Sequence, residues 1–187
     1  MKNKLILKSI QSLSNTLPIT KIQIFSDEIV LVIKPEFLLD ILFYLKNNVL
    51  CQFTVLSVIS GVDYPEKKNR FEIVYDLLST TLNRRIRVKV IVNELKYLNS
   101  CEKIFPTANW HECEVWDMFG VFFKDHSNLR RILTDYGFEG HPLRKDFPLN
   151  GFIEVRYSEN HKRVISESIE FSQEYRTFNF FGPWNKN

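Results

Sequence analysis

The sequence is short of glycine, proline and cysteine, and it has no long apolar run. Six glycines in 187 residues argue against a collagen-like repeat. Cys51, Cys101 and Cys113 make an odd number with no C-x-x-C pair. That argues against a disulfide framework and points to a reducing compartment. Four soft ligands are normally needed for an iron–sulfur cluster, so this chain is not expected to hold one alone. No G-x-G-x-x-G and no G-K-[ST] loop occurs, which leaves nucleotide binding by a glycine-rich loop without support. The longest charge-free, apolar-leaning stretch, 47–62, is interrupted by Gln52, Thr54, Ser57, Ser60 and Gly61. A membrane span needs about 20 mostly apolar residues. Lys8 breaks the apolar run Leu5-Ile6-Leu7, unlike a signal peptide. No arginine precedes Arg70, unlike an imported presequence.

What is present fits a globular chain. Hydrophobic residues make up 44% and charged residues 25%, close to ordinary soluble domains. The net charge is +3, split as 14 basic and 9 acidic residues over 1–100 against 11 and 13 over 101–187. This polarity is too mild for nucleic-acid binding by charge alone. The abundance of Lys, Asn, Ile and Phe suits an AT-rich genome.

Periodicity predicts an α+β domain. Ile6, Ile10, Leu13 and Leu17 form a helical stripe ended by Pro18. Lys21 to Phe25 alternates, Ser26-Asp27 turns, and Glu28 to Ile33 reads as a strand apolar on both faces. Pro35 opens a helix whose buried face is Leu38, Ile41, Leu42 and Leu45, closed by Asn47-Asn48. Strands follow over Phe53 to Val62, Phe71 to Leu77 and Ile86 to Val92, the last two joined as a hairpin through Ser79 to Asn83. The sheet is expected to be mostly antiparallel or mixed, with helices packed on one face and Arg85, Arg87 and Lys89 reaching toward solvent on the other. A further helix covers Thr107 to Phe119, with Thr107 as its cap.

After Gly120 the character changes. Only Leu129 to Leu133 looks helical. Yet residues 121–187 hold 13 of the 26 aromatic residues in 67 positions, and disordered chains are depleted in aromatics. The expected division is therefore an α+β domain over 1–120 and a long extended C-terminal tail over 121–187 that packs on a partner. The alternative is a tail that wraps the chain's own domain.

Candidate chemistry is sparse. His111, His126, His141 and His161 follow one another at sequence intervals of 15, 15 and 20, and none makes a local metal pair. Cys113 and His111 are two apart on one helix and point to different sides, so Cys113 reads as a buried structural thiol. Glu112, Glu114 and Asp117 put three acids on one helix, with Glu114 and Asp117 sharing a face. Downstream stand Arg130-Arg131 and Arg144-Lys145-Asp146. Charge-assisted bonds that pin the tail to the helix are favoured over proton chemistry.

One stretch is more specific. Residues 108–157 read ANWHECEVWDMFGVFFKDHSNLRRILTDYGFEGHPLRKDFPLNGFIEVRY. This closely resembles the 30-kilodalton subunit family of respiratory complex I, the proton-pumping NADH:ubiquinone oxidoreductase. The signature runs from the acidic helix through His126 to Leu133 and on to Gly140 to Pro148. The strong match spans about 105–184 and takes in Ser166-Glu167, Phe178-Asn179-Phe180 and Pro183-Trp184. Two departures stand out. Glu112-Cys113-Glu114 replaces the family's usual Glu-Arg-Glu, removing a cation from the acidic helix. Ser127-Asn128 replaces a Pro-Asp pair.

The resemblance implies a structural subunit of the hydrophilic, peripheral arm, without an active site of its own. It implies no cofactor in this chain, FMN and iron–sulfur clusters being held by partner subunits. It implies a tail laid along the 49-kilodalton subunit, which helps form the quinone site, among other peripheral-arm partners. It also implies a place at the mitochondrial inner membrane, on the matrix side, with no span and no nucleic acid. The expected interface residues are Arg130, Arg131, Arg144, Lys145 and Asp146, with Phe147 and Trp184 as apolar anchors. A small basic RNA-binding module is the alternative raised by the cationic strand, and a stand-alone hydrolase comes third.

Overall fold

A computed structural model of the chain describes residues 16–25, 28–171, 176 and 178. The expected helix around Ile6, Ile10 and Leu13, the turn at Ser26-Asp27 and the anchor Trp184 lie outside the described residues.

Alternation in the sequence builds the central sheet. Its strands are β1 (Ile19–Phe25), β2 (Glu28–Ile33), β3 (Val55–Asp63), β4 (Phe71–Ser79) and β5 (Arg84–Val92). They lie in the order β1-β2-β5-β4-β3. The β2–β5 pairing is parallel and the other three are antiparallel, so the sheet is mixed. The hairpin between β4 and β5 closes where Ser79 pairs with Arg84. In the turn, Asn83 takes φ 47°, a left-handed conformation that Asn tolerates.

Period two sorts β4 and β5 cleanly. Phe71, Ile73, Tyr75 and Leu77, with Ile86, Val88, Val90 and Val92, are buried. Pro35 starts a single 3-10 turn, Pro35–Phe37, that runs into α1 (Leu38–Asn47). The apolar stripe Leu38, Ile41, Leu42 and Leu45 packs into the same core, as the helical spacing requires. Ala108, Val115, Met118 and Phe119 of α2 (Ala108–Phe119) join that core too. Leu17 packs against it from the start of the described chain.

The opposite face of the sheet mixes apolar residues with ion pairs across strands: Arg87 bonds Asp76 at 2.6 Å and Lys89 bonds Glu72 at 2.7 Å. Two short parallel strands, β6 (Leu98–Asn99) and β7 (Phe123–Lys124), tie the residues after α2 back beside those before it.

Three expectations are corrected. Thr107 precedes α2 in a helical conformation and its hydroxyl makes no capping bond. The segment Leu129 to Leu133 is not a helix, for a reason given below. A hairpin that the sequence reading did not identify, β8 (Ile153–Ser158) with β9 (Arg163–Ser168), forms further on.

By its contacts the chain divides into two compact units, Met1–Phe147 and Pro148–Asn187. Residues 121–147 thus group with the α+β unit.

Candidate interaction site

The segment that follows α2 is held by three sets of polar ties, two built on buried aspartates and one on the carbonyls that end α2. The first is Asp117, whose side chain is fully buried. Its Oδ2 accepts the backbone N–H groups of Ile132, Leu133 and Thr134 at 3.0, 2.8 and 3.0 Å. Its Oδ1 accepts the Thr134 hydroxyl at 2.7 Å and Arg131 Nη1 at 3.1 Å. Successive amides converging on one oxygen form an anion-binding concavity, here filled by the protein's own carboxylate. Burial pushes the Asp117 carboxyl up, but the amide and hydroxyl donors outweigh it and hold it at about 2. These bonds also explain the missing helix at 129–133. Amides that donate to Asp117 cannot donate to carbonyls four residues back.

The second set closes the end of α2. A helix leaves its last four carbonyls without intrahelical partners, and here all four are taken up. Gly120 N–H donates to Trp116 O at 2.9 Å, and His141 Nδ1 to Asp117 O at 3.0 Å. Leu143 N–H donates to Met118 O at 3.1 Å, and Arg144 Nε to Phe119 O at 2.7 Å. Arg144 also bonds Glu94. Gly120 ends the helix at φ 77°, and a Cβ there would stand 2.5 Å from His141 Nε2 and 2.6 Å from Arg144 Nη2. Glycine is required twice over, by conformation and by space. The His141 ring meets Trp116 edge-on at 5.6 Å, and burial lowers its pKa from the ordinary histidine value.

The third set centres on Asp63, at the end of β3, whose side chain is also fully buried. It accepts Arg70 Nε and Nη2 at 2.7 and 2.8 Å, and the Lys145 N–H at 2.8 Å. Arg70 reaches on to Asp146 through Nη2 at 2.7 Å and Nη1 at 3.1 Å. The Arg70 guanidinium holds both carboxyls below the usual aspartate range.

The expected interface residues therefore separate. Arg131, Arg144 and Asp146 direct their charge to partners within the chain. The Lys145 side chain is exposed, although its N–H is bound. Arg130 is exposed and lies over the Trp110 ring at 6.0 Å. Phe147 is half-buried, its ring 5.9 Å from that of Phe138. Asp63, Arg70, Glu94 and His141 were missed, because no local spacing relates a strand end to a loop far along the chain; only the folded sheet does.

The acids of α2 part company as well. Asp117 is buried and Glu114 exposed, so they do not act as a pair. Glu112 is buried, accepting Ser100 Oγ and the Cys101 N–H at 2.5 and 2.8 Å. Burial raises its pKa against those donors. Cys113 lies 3.9 Å from His126 Nε2, yet this is no nucleophile pair. His126 Nδ1 accepts the Asn128 N–H at 3.0 Å, which leaves Nε2 to donate to Asn109 O at 3.1 Å. The ring thus has no lone pair with which to take the thiol proton. Ser127 puts its N–H and its hydroxyl on Glu102, at 3.0 and 2.8 Å. Those bonds and one from Asn109 hold the Glu102 carboxyl at about 2.

Among the described residues, no group of three or more His, Cys, Asp and Glu side chains is placed to hold a metal ion, and no helix is long and apolar enough to cross a membrane. On the cationic strand Arg87 and Lys89 are ion-paired within the sheet, which reduces the free positive charge an RNA-binding module would use.

What the ties achieve is presentation. They fix a loop whose outer side chains, Leu133, Tyr136 and Leu143, stand 60%, 103% and 52% exposed. These apolar groups stand on the outside of a mixed α+β unit whose buried Asp63 and Asp117 are paired within the chain. The sequence profile of the family described as "Respiratory-chain NADH dehydrogenase, 30 Kd subunit" matches residues 31–153. The chain belongs to that family. It is 57% identical over 159 residues to "NADH-ubiquinone oxidoreductase subunit 9" of Reclinomonas americana, covering 85% of this chain and 78% of that protein. It is 52% identical to an NADH-quinone oxidoreductase subunit of Chelativorans sp., covering 84% of this chain and 79% of that one. Among solved structures, the trypsin-resistant fragment (1-134) of Nqo5 is similar, with a TM-score of 0.57 and 25% identity over 69% of this chain and 100% of that one.

Proposed function

We propose that the chain is a structural subunit of the peripheral arm of proton-pumping NADH:ubiquinone oxidoreductase, and that it scaffolds the neighbouring 49-kilodalton subunit. The observation that carries the role is family membership over 31–153, together with relatives whose names describe oxidoreductase subunits. The chain transfers no electrons itself. FMN and iron–sulfur clusters belong to partner subunits, and the assembled enzyme sits at the mitochondrial inner membrane with this chain on the matrix side.

The segment after Gly120 is the part we assign to the neighbour. Its inner side is anchored through Arg131, Arg144 and Asp146. Its outer side, with Arg130, the Lys145 side chain, Leu133 and Tyr136, meets the partner, joined by Phe147 and Trp184.

The test is mild detergent extraction and native gel separation, probed with an antibody to this chain and an in-gel NADH dehydrogenase stain. Co-migration with a very large NADH-oxidising band is expected, with chemical cross-links from Lys145 to the 49-kilodalton subunit. Migration only as a small free protein would overturn the assignment. Cross-links only to other subunits would overturn the contact with the 49-kilodalton neighbour.

A further inference from the structure

Pro148, Leu149, Asn150 and Gly151 form a turn at the start of the second unit, closed by a bond from Gly151 N–H to Pro148 O at 3.0 Å. Asn150 is the only asparagine of the chain that a glycine follows. It is exposed, as are Pro148, Leu149 and Phe152 around it. Among the described residues, its side-chain amide makes no hydrogen bond. Other asparagines are held. Asn47 Nδ2 donates to Phe43 O at 3.1 Å, Asn109 Nδ2 donates to Glu102 Oε1 at 2.7 Å, and Asn48 Oδ1 accepts the Leu50 N–H at 2.8 Å. Gly151 takes φ 72°, and a Cβ built on it would meet nothing within 4 Å beyond its chain neighbours. The space beside this peptide bond is therefore open.

We infer that Asn150-Gly151 is a site of spontaneous covalent modification, at which the asparagine closes a succinimide with the Gly151 nitrogen and reopens as aspartate or isoaspartate. The Gly151 nitrogen gives its proton to water or hydroxide and attacks Asn150 Cγ. The new N–Cγ bond closes a five-membered ring, and the side-chain amide nitrogen leaves as ammonia. Water then adds to either ring carbonyl. Opening at Cγ leaves aspartate. Opening at the main-chain carbonyl leaves isoaspartate, whose main chain runs through Cβ and Cγ. The net exchange is an amide and a water for a carboxylic acid and ammonia, with nothing oxidised or reduced. Glycine matters because its nitrogen can approach Cγ with no Cβ in the way. The bond that ties this nitrogen to Pro148 lies in an exposed turn, where local opening costs little. Either product puts a negative charge where a neutral amide stood. Isoaspartate also lengthens the main chain three residues before β8. The chemistry needs no partner and stands apart from the scaffold role proposed above.

The test incubates the folded full chain in mildly alkaline buffer made with heavy-oxygen water and follows the peptide containing residue 150 by mass spectrometry. Digestion in ordinary water separates conversion during incubation, which takes up heavy oxygen, from conversion during handling. Aspartate and isoaspartate are both expected at 150, and the isoaspartate should accept a methyl group from S-adenosylmethionine when an isoaspartyl methyltransferase is added. Conversion at Asn150 should outpace that at every other asparagine by about tenfold or more. Gly151→Ala should slow it by about tenfold. The same slowing should appear in denaturant, where the fold plays no part. Conversion in denaturant but not in the folded chain would overturn the site, because the turn bond would then protect the nitrogen. Aspartate without isoaspartate would overturn the succinimide route. Faster conversion at another asparagine would overturn the choice of Asn150.

Discussion

At the scale of single residues, Asp117 is the most exacting position, because one buried carboxylate takes three amides, a hydroxyl and a guanidinium. Its folded pKa of about 2 lies below the ordinary value of 3.8. The bonds therefore stabilise the fold by about 2 kcal/mol above the unfolded pKa, and that contribution is lost as the pH falls through about 2. Asp117→Asn should remove the charge that Arg131 and the amides face and cost about 2–3 kcal/mol. Denaturant midpoints of the two proteins at pH 7 and pH 3 check this, and the gap should narrow at the lower pH. A gap independent of pH would show that the charge at Asp117 is not what matters. Gly120 is the second such position. Gly120→Ala combines a strained left-handed conformation with displacement of His141 and Arg144, a loss of about 1–3 kcal/mol. Hydrogen exchange should report it as faster exchange at Leu143 N–H, which sits on the Met118 carbonyl.

At the scale of elements, α2 rides on the sheet through one close approach. A Cβ on Gly61 of β3 would stand 2.6 Å from the Phe119 ring, and Phe119 in turn meets Phe71 edge-on at 6.4 Å. Gly61→Ala should cost about 1–3 kcal/mol by overpacking, and Phe119→Leu in the same chain should recover part of it. A double-mutant cycle on denaturant midpoints measures the coupling, and strict additivity would mean that the helix shifts freely on the sheet. This contact also marks what was legible in the sequence. Alternation in β4 and β5 and the stripe Leu38, Ile41, Leu42 and Leu45 specify core and face directly, because burial imposes the same period on sequence and structure. Strand pairing is different: the parallel β2–β5 contact joins segments that have α1, β3 and β4 between them in the chain, and no local pattern encodes it. Leu129 to Leu133 misled because apolar spacing matched a helix while the backbone was claimed by Asp117. The β8–β9 hairpin was obscured from the other side. Ile153, Val155 and Tyr157 alternate well, but β9 sets Val164 beside Ile165 and then turns polar, so its half of the signal is weak.

At the scale of the whole molecule, the paired acids and arginines divide into those that close the first unit and those that leave the second to its surroundings. Asp63, Asp117 and Glu94 lie in the α+β unit and bind Arg70, Arg131 and Arg144 there. Cleavage next to an arginine needs that side chain free and its backbone extended, so these sites should resist trypsin while the unit stays folded. In the second unit, Lys162 and Arg163 are exposed at the hairpin turn, where Lys162 takes φ 49°. Among the described residues, β8 and β9 pair only with each other. Open, weakly held segments are where proteases cut. The isolated full chain should therefore be nicked first at 162–163, giving a resistant core that retains Arg131 and Arg144. In the assembled enzyme the same bonds should be protected, because they lie in the segment we assign to the neighbour. Timed digestion with mass identification of fragments, run on both samples, checks this. Equal resistance of residues beyond 148 in the free chain would mean that the second unit is self-supporting, and the reading of it as a segment completed by a partner would fall.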